Sequence, residues 1–213
     1  RAVSHDLRTP LTVISGIAET LGAGNELKEE TRKKLLSDIQ EESQWLIRMV
    51  ENLLSITRIN MDTMKVTKTA EPVEEIIEAV YKHLKKVYPE GQVAVQLPDD
   101  VIFIQADPIL IEQALFNLVE NAFRHGEKEQ PVKLTVYQEQ GQTVFEIENH
   151  GEIPLKQFQK IQSNLSSANE VSVDSKNGLG IGLSIVKTII HAHNGKMTID
   201  VKEGKTLVRI YLK

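Results

Sequence analysis

The chain of 213 residues has no cysteine, which removes disulfides, thiolate metal sites and cysteine nucleophiles from consideration. Aromatic residues make up 5 % of it, and no apolar run reaches the ~18 residues needed to span a bilayer. It has no surplus of positive charge: 25 Lys and Arg stand against 30 Asp and Glu, for a net charge of −5. Sequence-independent nucleic-acid binding, which draws on counterion release by excess cations, is therefore not expected. No secretory leader opens the chain, and Arg1-Ala2-Val3 reads as the inside of a helix without a start signal. We expect a cytoplasmic fragment of a longer protein, with no direct membrane contact of its own.

Two regions of different character follow. In residues 1–61, Leu7, Leu11, Ile14, Ala18 and Leu21 recur at alternating spacings of four and three, the stripe of a helix packed on other helices. Gly22-Ala23-Gly24-Asn25 ends that helix. A second stripe (Leu35, Ile39, Glu42, Leu46, Val50, Leu53, Thr57) then runs to about Asn60. An antiparallel helical hairpin cannot bury both flanks of its seam alone, so a homodimeric four-helix bundle is predicted. Residues 66–213 mix periods. A short strand is predicted at Val66–Thr69, and a helix from Pro72 to about Val87. Strands are predicted at Val93–Leu97 and Val101–Gln105, and a helix capped by Asp107-Pro108 runs to about His125. A hairpin (Val132–Glu139 and Thr143–Glu148), a Ser/Asn-rich loop over 163–177, a helix to His193 and two closing strands complete the pattern. The fold class is α+β, with one mixed sheet carrying helices on one face.

Three segments carry chemistry. In Ser4-His5-Asp6-Leu7-Arg8-Thr9-Pro10-Leu11-Thr12, His5 lies two residues before the stripe residue Leu7, about 200° round the helix and on its wet face. An imidazole of ordinary pKa ~6.5 is a competent nitrogen nucleophile at neutral pH. Asp6 adjoins it, Thr9 is one turn on, and Pro10 leaves the carbonyl of Asp6 without its helical partner. Further on, Asn117, Asn121, Arg124 and His125 share one helical stripe, two amides and a cation suited to phosphates and a hard metal ion. Asn177-Gly178-Leu179-Gly180-Ile181-Gly182-Leu183 opens the next helix with three alternating glycines, through which backbone amides can approach phosphate oxygens. There is no Walker sequence. The pair His191 and His193, at i, i+2, does not face one metal, and both are expected to be cations at a helix C-terminus. His83 and His150 show no partner in the sequence.

The first segment resembles the phospho-acceptor box of bacterial sensor histidine kinases, H-[DE]-x-[RK]-T-P-L. The other two resemble the N box and the G-x-G-x-G box of the GHKL ATPases. Across nearly the whole chain, the order of these boxes is similar to that of the histidine kinases. The resemblance implies a dimerisation and phosphotransfer domain (1–61) followed by a GHKL α/β sandwich that binds ATP (66–213), with a hinge near 60–66. It implies that His5 accepts the γ-phosphoryl group of ATP, Asp6 draws off the ring proton, and Thr9 positions a water for the reverse task on a partner. Asn121 would bind Mg²⁺, Asn117 and Arg124 would contact phosphates, and Gly178, Gly180 and Gly182 would form the loop over the triphosphate beside an ATP lid. His125 stands where a Tyr is more usual, an imidazole able to stack in its place. The implied partner is the receiver domain of a response regulator, and the implied parent is a membrane-bound sensor. Ser4 to Gly16 and Glu51-Asn52-Leu53-Leu54 look similar to the potassium-responsive Kdp sensor kinases.

One segment departs from the family. Where it places D-x-G-x-G, this chain has Asn149-His150-Gly151-Glu152-Ile153, with Asn for the adenine-reading Asp and no second glycine. A charge-assisted hydrogen bond is worth ~1.5–3 kcal/mol against ~1 for a neutral one, so adenine binding about tenfold weaker is expected. That departure motivates a second reading, a kinase-impaired homologue acting mainly as a regulator phosphatase or dimeric scaffold. A gyrase-type clamp is a third, but its catalytic Glu falls where this chain has Asn117, and it leaves the His5 box unexplained.

Overall fold

The computed structural model describes residues 2–23, 27–60, 66–127, 129–151, 153–154, 158–159, 161–162 and 180–213; for 2–6, 48–49, 51–60 and 180–181 only the backbone is described. Gly24-Asn25 of the turn expected at Gly22–Asn25, residues 61–65 of the hinge expected near 60–66, the loop at 163–177 and Gly178 lie outside these residues.

Helix α1 (Ala2–Gly22) and helix α2 (Glu29–Asn60) form the predicted hairpin. Pro10 sits inside α1. Among the described side chains of the two helices only Pro10 is buried, while Leu11 is 54 % and Ile47 59 % exposed.

The second region begins with β1 (Thr69–Pro72), α3 (Val73–Val87), β2 (Val93–Gln96) and β3 (Phe103–Ala106). It continues with α4 (Pro108–His125), β4 (Val132–Glu139) and β5 (Gln142–His150), and ends with α5 (Gly180–Ala192), β6 (Lys196–Lys202) and β7 (Lys205–Leu212). The expected single sheet is two. A five-stranded mixed sheet has the order β2-β4-β5-β7-β6, with β2 parallel to β4 and the other neighbours antiparallel. β1 and β3 pair separately, Thr69 opposite Ala106. The first strand is thus displaced from Val66–Thr69 to Thr69–Pro72, because pairing with β3 rather than local propensity defines it. Pro72 ends that strand and is the N-cap of α3 rather than its first residue.

One face of the main sheet is apolar by strict alternation: Val132, Leu134 and Val136 of β4, Phe145 and Ile147 of β5, Val208, Ile210 and Leu212 of β7, all buried. α4 and α5 lie on it, contributing Ile111, Leu115, Leu118, Ile185 and Ile189. The opposite face is charged. Arg209 bridges Glu146 and Asp200, and Glu148 meets Lys205 at 2.9 Å and Lys133 at 3.7 Å. Antiparallel strands with one face packed and the other wet, as β4, β5 and β7 are, read this way. α2 also packs against α5. Among the described residues no helix is long and apolar enough to cross a membrane.

Asp107 Oδ1 accepts from the N–H of Leu110 at 3.3 Å, with Pro108 in the first turn, so α4 starts where the sequence places it. The backbone N–H of Asp107 donates to His193 Nε2 at 3.0 Å, and His193 Nδ1 donates to the carbonyl of Ile189 at 2.7 Å. His193 is only 5 % exposed, and burial lowers its pKa first of all. The expectation of a helix-terminal cation is therefore corrected for His193: it is a neutral pin tying the end of α5 to the start of α4. His191 is exposed. His83, without a partner in the sequence, stacks on Phe116 at 4.4 Å and faces Glu112 at 3.4 Å.

Candidate nucleotide site

Along β5 the core-facing positions run Thr143, Phe145, Ile147 and then Asn149, so the strand carries a polar side chain into the apolar layer at its last turn outward. Asn149 is 7 % exposed and lies opposite Thr206 of β7. Its Nδ2 donates to the carbonyl of His150 at 3.3 Å, and among the described residues Oδ1 takes no hydrogen bond. The same His150 carbonyl accepts the N–H of Glu127 at 2.8 Å, which fastens the strand end to the C-terminus of α4.

Gly151 follows with φ of +128°, a region that side-chain-bearing residues avoid. A Cβ there would stand 2.9 Å from the carbonyl oxygen of His125. Its N–H donates to Gly204 at 2.9 Å, and its carbonyl accepts the hydroxyl of Thr206 at 2.8 Å. Glycine is thus required here both by conformation and by the approach of α4.

These residues line a cavity of about 160 Å³ together with Asn121 and His125 of α4. Its remaining walls are apolar, Ile147, Leu183, Ile199 and Val208 among them. A space of about five water volumes suits a flat ring rather than a whole nucleotide. Few polar groups against apolar walls are the usual make-up of a ligand site. The His125 pKa is lowered, by burial first and by the neighbouring Arg124 charge second, so its ring meets a ligand neutral at neutral pH. No carboxylate lines the cavity among the described residues. Gly182 of α5 comes against Asn121: a Cβ on it would lie 3.6 Å from Nδ2, an ordinary contact. The start of α5 and the amide of Asn121 therefore share one edge.

Asn121, His125, Asn149, Gly151 and Gly182 are thus brought together. The stripe on α4 is not continuous in its surroundings. Asn117 is buried at 3 % exposure and lines a second cavity of about 540 Å³, with Phe116, His83 and Ile109, between α2, α3 and α4. Arg124 is exposed and lines neither cavity. Gly180 is the first residue of α5, and Gly178 lies outside the described residues. His5 and Asp6 lie on α1, their side chains not described; Thr9 is exposed. Sequence reading missed Thr206. The alternation Thr206, Val208, Ile210, Leu212 was its signal, since it points the hydroxyl to the face that Asn149 occupies.

Comparison with known proteins identifies the family of each region. Residues 106–213 match the family described as histidine kinase-, DNA gyrase B- and HSP90-like ATPase, and residues 1–62 match the His kinase A (phospho-acceptor) domain. The sensor protein KdpD of Clostridium acetobutylicum is 37 % identical over 203 residues, covering 92 % of this chain and 22 % of its own length. The Acinetobacter baumannii histidine kinase AdeS superposes with a TM-score of 0.69 at 21 % identity, over 98 % of this chain and 97 % of that one. Histidine kinase ThkA, solved in complex with the response regulator protein TrrA, gives 0.67 at 22 % identity over 99 % and 59 %. The chain spans between 22 % and 50 % of the length of such curated relatives. With an ATPase of this family joined to a His kinase A phospho-acceptor domain, the chain belongs to the histidine kinases.

Proposed function

We propose that this chain is the cytoplasmic transmitter of a longer sensor: it takes the γ-phosphoryl group of ATP onto His5 and passes it to an aspartate of a response regulator. The observation that carries the reading is the cavity where Asn121, His125, Asn149 and Gly151 meet, with Gly182 at its edge, in a chain whose first helix bears the His5 box. The work divides between residues 1–61, for dimerisation and phosphotransfer, and 66–213, for ATP.

In this reading an imidazole nitrogen of His5 attacks the γ-phosphorus, the bond to the bridging oxygen breaks, and ADP leaves. Asp6 takes the ring proton, and phosphohistidine then donates the group to the regulator's carboxylate. Thr9 positions water for the reverse removal of phosphate. Asn149 Oδ1 accepts from the exocyclic amine of adenine, and the ring of His125 stacks on the base. Asn117 and Arg124 serve the phosphates, as do the backbones of Gly178, Gly180 and Gly182. The exposed Leu11, Val13, Leu36 and Ile47 support a homodimer, since a lone hairpin leaves them in water.

Among the described residues no cluster of three or more His, Asp or Glu could hold a metal. A single amide oxygen fits a Mg²⁺ that arrives on nucleotide phosphates and keeps most of its own waters. Asn121 would supply that oxygen; the ion neutralises phosphate charge when bound.

Purified chain incubated with γ-labelled ATP and Mg²⁺ is expected to carry label that acid removes and base preserves. A His5→Ala variant is expected to carry none. Label on the variant, or a folded dimer of the natural chain that takes up no label, would overturn the kinase reading. The second outcome favours the regulator phosphatase or scaffold that Asn149 first suggested.

A further inference from the structure

From the geometry of the base-reading end of this cavity, we infer that the site also accepts guanine nucleotides, because its selecting group is the Asn149 amide, which can offer either its oxygen or its nitrogen. This rests on the reading of the cavity as the base pocket.

Adenine presents an amine at its six-position, a donor; guanine presents a carbonyl there, an acceptor. A carboxylate can only accept, so it would set its charge against the guanine carbonyl. A primary amide has two faces and exchanges them by half a turn of its last side-chain bond. In this structure Asn149 Nδ2 is occupied only by the His150 carbonyl, at 3.3 Å, the long end of a hydrogen bond, and Oδ1 is the group left for a ligand. That orientation suits adenine. Turning the amide gives up one long hydrogen bond and brings Oδ1 beside the His150 carbonyl. It orphans no backbone group, because that carbonyl keeps the N–H of Glu127 at 2.8 Å.

Two further features favour guanine in the turned state. Thr206 gives its hydroxyl hydrogen to the carbonyl of Gly151, so toward a ligand its oxygen accepts, which matches the ring N–H and the 2-amino group of guanine rather than the bare ring nitrogen of adenine. No carboxylate lines the cavity among the described residues to repel the guanine carbonyl. Discrimination between the purines then reduces to the turning of one amide, about ten- to a hundredfold in favour of ATP. A site built around a fixed acceptor rejects the mismatched group by about ten-thousandfold.

Calorimetric titration of the natural chain with the β,γ-imido analogues of ATP and GTP, each with Mg²⁺, tests this. The GTP analogue is expected to bind within about a hundredfold of the ATP analogue. An Asn149→Asp variant, which restores a fixed acceptor, is expected to bind the ATP analogue about tenfold more tightly and the GTP analogue at least tenfold more weakly. Binding of the ATP analogue with the GTP analogue more than a thousandfold weaker overturns the inference and leaves the kinase reading intact. A ratio that Asn149→Asp fails to widen also overturns it, since selection then lies elsewhere. If that variant does not fold, the ratio in the natural chain decides alone. Binding of neither analogue sinks the nucleotide site itself, and this inference with it.

Discussion

The two regions solve the problem of burial in opposite ways. Apart from Pro10, every described buried side chain lies at or beyond Val73, in the sandwich; the hairpin's apolar seam is only partly covered and Leu11, Leu36 and Ile47 face water. The sandwich closes its own core between sheet and helices. Two antiparallel helices have one contact line, and the remaining flanks need another surface. The difference lines up with the proposed division of labour. The proposed base-reading groups sit in the self-sufficient region, where strand register fixes Asn149 against Thr206. The proposed phospho-acceptor, His5, sits on the region that leaves apolar side chains exposed.

The sharpest way to separate the two is to damage the sandwich alone. Phe145 is fully buried at the centre of β5, between Val136 and Ile210. Phe145→Ala is expected to cost about 3–5 kcal/mol, seen as a lowered thermal transition of the β-rich signal. The helical signal of residues 1–61 should persist and its melting should depend on protein concentration. A single concentration-independent transition for both regions would show that they do not fold separately. Next in size is Gly151→Ala. Positive φ and a methyl 2.9 Å from the His125 carbonyl predict a loss of about 1–3 kcal/mol, together with weakened nucleotide binding, because the His125 and Asn149 ends of the cavity move apart. Unchanged stability and binding would mean that the strand end adapts freely.

On the hairpin side, Leu11→Glu places a charge on the exposed seam. In an isolated hairpin an exposed substitution stays within about 0.5 kcal/mol. In a homodimer that buries Leu11 the dissociation constant should rise at least about tenfold, measurable by sedimentation across a concentration series. An unchanged association constant would place the dimer seam elsewhere on α1.

How much of this was legible in the sequence follows the range of the forces involved. The ends of α4 were readable because Asp107-Pro108 and the residues they cap are neighbours. Both helices of the hairpin were readable from period alone. The first strand slipped by three residues because Thr69–Pro72 is a strand only through its pairing with β3, more than thirty residues on. The same non-local pairing split the expected single sheet in two. At the site, Asn149 stood out by its departure from a family pattern and Gly151 as the glycine of that pattern that is kept, and alternation along β5 explains why Asn149 reaches the cavity. Thr206 carries no motif and was missed. Asn117 shares a stripe with Asn121 in sequence, yet the packing of α3 and α2 around it gives it a different cavity.

The smallest expected effect concerns His193, whose position looked like a solvated helix end until α4 was packed over it. Burial lowers its pKa first of all; Lys68 lowers it further, and the Ile189 hydrogen bond and the Asp107 carboxylate oppose the shift without reversing it. Below the ordinary histidine value of 6.5 the unfolded chain therefore binds a proton that the folded chain refuses. The stability His193 confers is fully present above 6.5 and is lost as pH falls from there toward its folded value. The melting temperature should fall between pH 7 and pH 5. His125, whose pKa is lowered too, contributes with the same sign. His193→Gln isolates the part due to His193: a neutral amide can donate to Ile189 and accept from Asp107, so the variant should keep most of the stability at pH 7 and lose part of the slope. An identical slope in the two proteins would mean that His193 binds its proton as readily in the folded chain as in the unfolded one, and that its bond from Asp107 does not hold it neutral.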